Sequence, residues 1–283
     1  MMLDYSGKLY TFGCSMTKYY YPTWADILGK EFSYYENWGE GGQGNLFIFN
    51  SVIECLARNK ITDKDTIIVM WSAISRFDYY KDNQWCVSNK EYPLPKQFDC
   101  PYGSEVRDYA YFYALYRLLE SKNINFKFLA WYQYNTQGSA GLVYQDVLDK
   151  IITVKFGNFN KPIIKTPLLK MQQLYDRLCG SSWPSLSELL NNHTNDYADN
   201  IKKEINEFYT IINENQYDYI EKTKDIDRHP GPLQHLAGLK DALPNVVLSD
   251  STIDWITEID IKVQNSIPID PTYYFKNTPK ERL

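Results

Sequence analysis

Residues 8–17 read KLYTFGCSMT, a short alternating run closed by Gly13, with Cys14 and Ser15 directly behind it. The run has the make-up of a strand, and the glycine at its end marks a turn. A serine on such a turn is either a nucleophile displayed at a strand end or polar punctuation. A Gly-x-Ser step alone is too common to decide. The segments behind it set the context. PTWADILGKEF (22–32) has helical spacing: Pro22 suits a first turn, where no amide donor is needed, and Trp24, Ile27 and Leu28 share a face. YYENWGEGGQGN (34–45) breaks that pattern with glycines at 39, 41, 42 and 44, and LFIFNSVIECLARNK (46–60) resumes it with Phe47, Val52 and Leu56 on one stripe.

DKDTIIVMW (63–71) is a continuous apolar run behind charges, as expected of a parallel strand buried on both faces. Residues 78–104, with prolines at 93, 95 and 101, read as a long surface loop. SEVRDYAYFYALYRLLESKN (104–123) reads as a helix capped by Ser104, and FKFLAWY (126–132) as another buried strand. Alternating strands and helices imply an α/β fold with a doubly wound parallel sheet. Residues 133–222 leave that rhythm and read as a helical insertion on a single 1–283 domain. Its clearest helical stretches are LLKMQQLYDRL (168–178) and NDYADNIKKEINEFYTIINEN (195–215). GPLQHLAGLKDAL (231–243) is a helix with Pro232 near its start, NVVLSD (245–250) a further strand, and the tail from Ile267 an extended surface segment.

Composition bounds the function. A net charge of −5, with no cluster of Lys and Arg, argues against a nucleic-acid partner. No run of about 18 apolar residues is present, so no membrane partner is expected, and the start MMLDYSGKLYTF lacks the basic and apolar regions of a secretory signal. A cytoplasmic location is the expectation. Five cysteines, without a CxxC pair, give neither a disulfide framework nor zinc-ligand spacing, so no metal is expected. The 25 tyrosines and 7 tryptophans suit both core packing and stacking on sugar rings.

Two of the three histidines lie in DIDRHPGPLQH (225–235). In extended backbone, Asp227 and His229 project to the same side, and Pro230 biases His229 toward that conformation. Asp227 would then take the Nδ1 proton of His229 and leave Nε2 as a base for Ser15. Asp225 is a competing orienter. His235 reads as a packing residue, His193 as a solvated one, and Cys14 as facing away from Ser15 into the core.

At this point the sequence resembles the SGNH (GDSL-like) hydrolases. Gly13-Cys14-Ser15 stands where that family has Gly-Asp-Ser, NWGEGG (Asn37 to Gly42) fits its Asn-x-Gly-x-x-Gly block, and DRHP (Asp227 to Pro230) its Asp-x-His block. The resemblance spans roughly residues 8–75 and 225–243. It implies a three-layer α/β/α flavodoxin-like fold and a serine esterase with the triad Ser15, His229 and Asp227. The amides of Ser15 and Gly42 would form the oxyanion hole, without a cofactor. One block departs: after TIIVMW the family has Gly-x-Asn-Asp, and this chain has SAISRFD, leaving Ser72, Ser75 or Arg76 to replace the missing donor, with Ser72 and Arg76 as possible substrate or oxyanion contacts. A small acyl ester, such as an O-acetylated carbohydrate, is the expected substrate. The alternatives are a catalytically impaired glycan- or protein-binding protein and an acyltransferase using the same serine. TFGCSMT and PTWADIL also look like the openings of SGNH-like proteins encoded by phages or other viruses.

Overall fold

In the computed structural model the described residues are 3–81, 84–88, 100–156, 163–164, 226–227, 229–265, 269 and 277–279. The chain runs β1 (Lys8–Phe12), α1 (Trp24–Gly29), β2 (Tyr34–Asn37), α2 (Asn45–Arg58) and β3 (Thr66–Trp71). A hairpin of β4 (Phe77–Lys81) and β5 (Gln84–Ser88) follows, then α3 (Pro101–Ser121), β6 (Asn125–Ala130), α4 (Ser139–Val143), α5 (Gln145–Leu148) and β7 (Ile151–Thr153). The two-residue strands β8 (Ile163–Ile164) and β9 (Ile226–Asp227) pair with each other, and α6 (Pro232–Ala242) and α7 (Asp250–Gln264) come last.

Five strands, all parallel, form the central sheet in the order β2-β1-β3-β6-β7. That is the flavodoxin-like order, with a switch of direction at β1 and β3. Strand periodicity divides the side chains between two cores. Tyr10, Phe12, Ile67, Val69, Trp71, Phe128 and Ala130 face α2 and α3, where Phe47, Val52, Phe112 and Leu115 close the layer. Leu9, Ile68, Met70 and Leu129 face α1, α6 and α7, against Trp24, Ile27, Leu236, Leu239 and Ile256. All six residues of β3 are buried, which explains its unbroken apolar run.

The structure revises several local expectations. Phe77–Lys81 and Gln84–Ser88 pair as antiparallel strands and are not loop. Helix α3 begins three residues before Ser104, at Pro101, with Cys100 as its cap and proline in the first turn, where its missing amide costs nothing. Helix α1 is capped by Thr23 in a capping box with Asp26, so Pro22 lies just outside it. NVVLSD is not a strand; it leads into α7, whose cap is Ser249. Within 133–222, residues 139–153 supply two short helices and the edge strand β7, while 168–178 and 195–215 lie outside the described residues. No helix among the described residues is long and apolar enough to cross a membrane.

The C-terminal ends of the strands are tied by one buried polar node. Helix α2 begins at Asn45, which is fully buried. Its Oδ1 accepts from the Ser72 amide at 2.8 Å, and its Nδ2 donates to Ser72 O at 3.0 Å and to Asp108 Oδ2 at 2.7 Å. The amide thus mimics a peptide edge for the residue that follows β3 while holding α3. Tyr134 OH donates to the same Ser72 carbonyl at 2.7 Å. Truncation of Asn45 would leave a buried N–H and a buried carboxylate oxygen without their partner, each worth about 1–3 kcal/mol. Asn45→Ala is therefore expected to lower unfolding stability by about 3 kcal/mol in urea titration. A loss below about 1 kcal/mol would show that the node is replaceable by water.

Candidate active site

The strand β1 ends in a tight turn. Thr17 N and Lys18 N both donate to Cys14 O, at 2.8 and 3.1 Å, which sets Ser15 at the head of the turn. Gly13 permits this because a Cβ there would overlap Thr17 Oγ1 and stand 3.0 Å from Met70 O on the neighbouring strand. Cys14 is fully buried in the core beside Ile68 and Met70, so its thiol faces away from the crevice. Ser15 keeps 6% of its surface exposed.

The structure brings Ser15 and His229 together: Ser15 Oγ lies 2.8 Å from His229 Nε2, across 214 residues of chain. With the ring proton on Nδ1, Nε2 accepts the hydroxyl proton, the arrangement a general base needs. The backbone of Asp227 lies in β9, paired with Ile163. The side chain of Asp227, and the whole of Asp225 and His193, lie outside the described residues. The imidazole of His229 is also stacked on Tyr19, with ring centroids 4.1 Å apart and planes 23° apart.

The loop after β2 is laced to the serine turn. Trp38 N donates to Thr11 O at 2.7 Å and Glu40 N to Gly13 O at 3.0 Å. Asn37 Nδ2 donates to Thr17 O at 3.0 Å while Asn37 Oδ1 accepts from Gly39 N at 3.0 Å, and Lys18 Nζ pairs with Glu40 at 3.6 Å. Gly42 has φ +82, in the left-handed region that favours glycine, with open space where a side chain would be. Beyond it, Gln43 O accepts from Arg76 Nη1 at 2.8 Å. Gly42 is thus suspended between a residue fixed to the serine turn and one fixed to the segment after β3.

That segment contains Ser72 and Arg76. Ser72 is fully buried, and its Oγ accepts from Arg76 Nη1 at 3.0 Å. Arg76, half-buried, therefore clasps the loop carbonyl and the end of β3 together. Asp78 acts beside it: Oδ1 accepts from Gly44 N at 2.7 Å and Oδ2 from Phe47 N at 3.0 Å, capping α2 from another part of the chain. Burial pushes the Asp78 carboxyl up from its ordinary range, against the pull of those amides and of Arg107 and Arg76. Burial likewise raises Asp108 to about 6, opposed by Arg107, whose Nε donates to it at 2.6 Å. Sequence reasoning did not find Tyr19, Asn45, Asp78 or Asp108 as parts of this site. A polar residue opening an apolar helix was the one available signal, for Asn45.

His235, one turn into α6, is fully buried, and neither ring nitrogen has a hydrogen-bond partner. It packs edge-on against Phe156 with ring centroids 4.9 Å apart. Burial, and then the charge of His229, lower its pKa to about 3. The unfolded chain takes up a proton on this residue below about pH 6.5, and the folded chain does not until about pH 3. Stability from this group is thus complete above pH 6.5 and is lost as pH falls toward 3. His235→Leu is expected to keep stability at pH 7.5 and to narrow the loss between pH 7.5 and 4.5 by roughly 2 kcal/mol. An unchanged pH slope in denaturant titrations would refute the assignment.

Searches against protein-family models and against curated proteins match nothing. Among solved structures, the chain is similar to a member of the lipolytic protein G-D-S-L family from Veillonella parvula DSM 2008. The identity is 14%, the match covers 60% of this chain and 84% of that one, and the TM-score is 0.31. It is also similar to the protein YXIM from Bacillus subtilis, at 13% identity over 53% of this chain and 44% of that one, with a TM-score of 0.33.

Proposed function

We propose that this protein is a serine esterase of the SGNH type acting on a small acyl ester. The observation that carries the reading is the 2.8 Å contact between Ser15 Oγ and His229 Nε2 at the β1/β3 switch point of a flavodoxin-like sheet. Ligand sites in open α/β sheets lie in the crevice beyond such points. Ser15 Oγ attacks the ester carbonyl as its proton passes to His229 Nε2. The tetrahedral oxyanion is received by the amides of Ser15 and Gly42, and His229 returns the proton to the departing alkoxide. Water then attacks the acyl-serine, its proton going to His229 and afterwards to Ser15 Oγ as the acid leaves. Asp227 is assigned the Nδ1 proton of His229, which it would hold through both steps.

Arg76 and Ser72 enter this reading as supports. Arg76 fixes the carbonyl of Gln43 and so the peptide unit next to Gly42, and the buried Ser72 hydroxyl serves as its second anchor. An O-acetylated carbohydrate suits the half-exposed aromatic rim that Tyr19 and Tyr20 provide, since tyrosine pairs an apolar face with a polar tip. No cofactor is required, because nucleophile and proton shuttle are both side chains.

Hydrolysis of p-nitrophenyl acetate and butyrate tests the reading. Wild type is expected to turn over the acetate, with kcat falling by about 10³-fold or more in both Ser15→Ala and His229→Ala. Retention of rate in Ser15→Ala would remove the nucleophile. A wild type without turnover would turn the protein into a binding module. Ester products formed with an added sugar acceptor, in preference to free acid, would reassign it as an acyltransferase.

A further inference from the structure

A hydrogen bond fixes one atom of an imidazole and does not by itself set the plane of the ring. A further constraint on His229 is a ring face. Tyr19 lies parallel to it within 23°, with a centroid distance of 4.1 Å. Tyr19 is itself braced, meeting Tyr20 at 4.7 Å and Tyr21 edge-on at 4.9 Å. It packs on the cluster of Tyr21, Ile259, Val263 and Ile269, two of whose members come from α7.

Tyr19 is four residues from Ser15 and belongs to the same tied segment. The turn is closed by Lys18 N on Cys14 O, and Thr17 O accepts from both Thr23 Oγ1 and Asn37 Nδ2. Nucleophile and ring shelf therefore move as one body, while the histidine arrives from 214 residues away. We propose that Tyr19 is a positioning residue, which fixes the plane of the His229 imidazole so that Nε2 is presented to Ser15. The kinetic part of this rests on the esterase reading; the placement of the ring does not. An aromatic face over the imidazole also favours the cation formed once the serine proton is accepted.

Two readouts on the full-length protein test it. With His193→Gln removing one of the three histidines from the spectrum, the His229 ring protons are expected upfield of a free histidine by the ring current of Tyr19. They are expected to return downfield in Tyr19→Leu and to stay upfield in Tyr19→Phe. On p-nitrophenyl acetate, Tyr19→Leu is expected to lose about tenfold in kcat with KM changed less than twofold, and Tyr19→Phe to recover the wild-type rate. Unshifted His229 protons in the wild type would overturn the proposal even if Tyr19→Leu fails to fold. So would full kcat in Tyr19→Leu, or an equal loss in Tyr19→Phe, which would assign the effect to the hydroxyl. If the wild type lacks Ser15-dependent turnover, the esterase reading falls, and the ring-current shift alone decides whether Tyr19 holds the imidazole.

Discussion

The cap position before helix α2 is a glycine, which has no side chain to cap it, and the arrangement around Ser15 follows from how that deficit is met. The first amides of a helix need acceptors. Here Gly44 N and Phe47 N find them in Asp78, which lies beyond β3. A side chain at position 44 would stand 2.7 Å from Asp78 Oδ1 and 2.8 Å from Arg76 Cβ, so the bare backbone is what lets the carboxylate approach. The cap is thus a long-range contact. It locks the loop after β2 to the loop after β3 and holds both beside the turn that carries Ser15.

Charge is used sparingly but deeply in this region. Asp78 and Asp108 are buried carboxylates whose protonation burial favours, and arginines 76 and 107 oppose that tendency. Buried charges of this kind contribute little net stability, since desolvation offsets attraction. Their geometric effect is larger. Arg107 Nη2 donates to Arg76 O at 2.9 Å, Arg76 reaches Gln43 O, and Asp108 holds Asn45. Each link joins a different pair of elements, so the network specifies one arrangement of the two loops and the helices α2 and α3. His235 is the opposite case: a polar ring with no partner, kept neutral by its surroundings and contributing shape alone.

Strands buried on both faces were legible in the sequence, because a continuous apolar run such as TIIVMW has few other uses. Helices α2, α3 and α6 were legible from their spacing. The strand β2 was not: YYEN is short and sits at the sheet edge with only Asn37 fully buried, so no burial pattern marks it. The hairpin at 77–88 was hidden by the prolines that follow it, and α7 by polar residues on its outer face. Of the candidate site, Ser15 and His229 were legible because a serine at a strand end and a histidine before proline each have a local signature. A ring stack between residues 19 and 229, or a cap supplied from residue 78 to residue 44, leaves no mark in either neighbourhood.

The strand order explains why two loops converge on Ser15 and not on another strand end. From β1 the chain crosses by α1 on one face to reach β2, then by α2 on the opposite face to reach β3 on the other side of β1. The loops after β2 and β3 therefore approach the end of β1 from its two flanks, one bringing Gly42 and the other Arg76 and Asp78. Only the floor and walls come from this local winding. The histidine comes from elsewhere, and a ring delivered across 214 residues must be registered to a turn it does not share. Among its contacts here are an edge contact to Ser15 and a face contact to Tyr19, and both partners belong to one short tied segment of the chain. Registration then gains from the rigidity of that segment, which the hydrogen bonds at Cys14 O and Thr17 O provide.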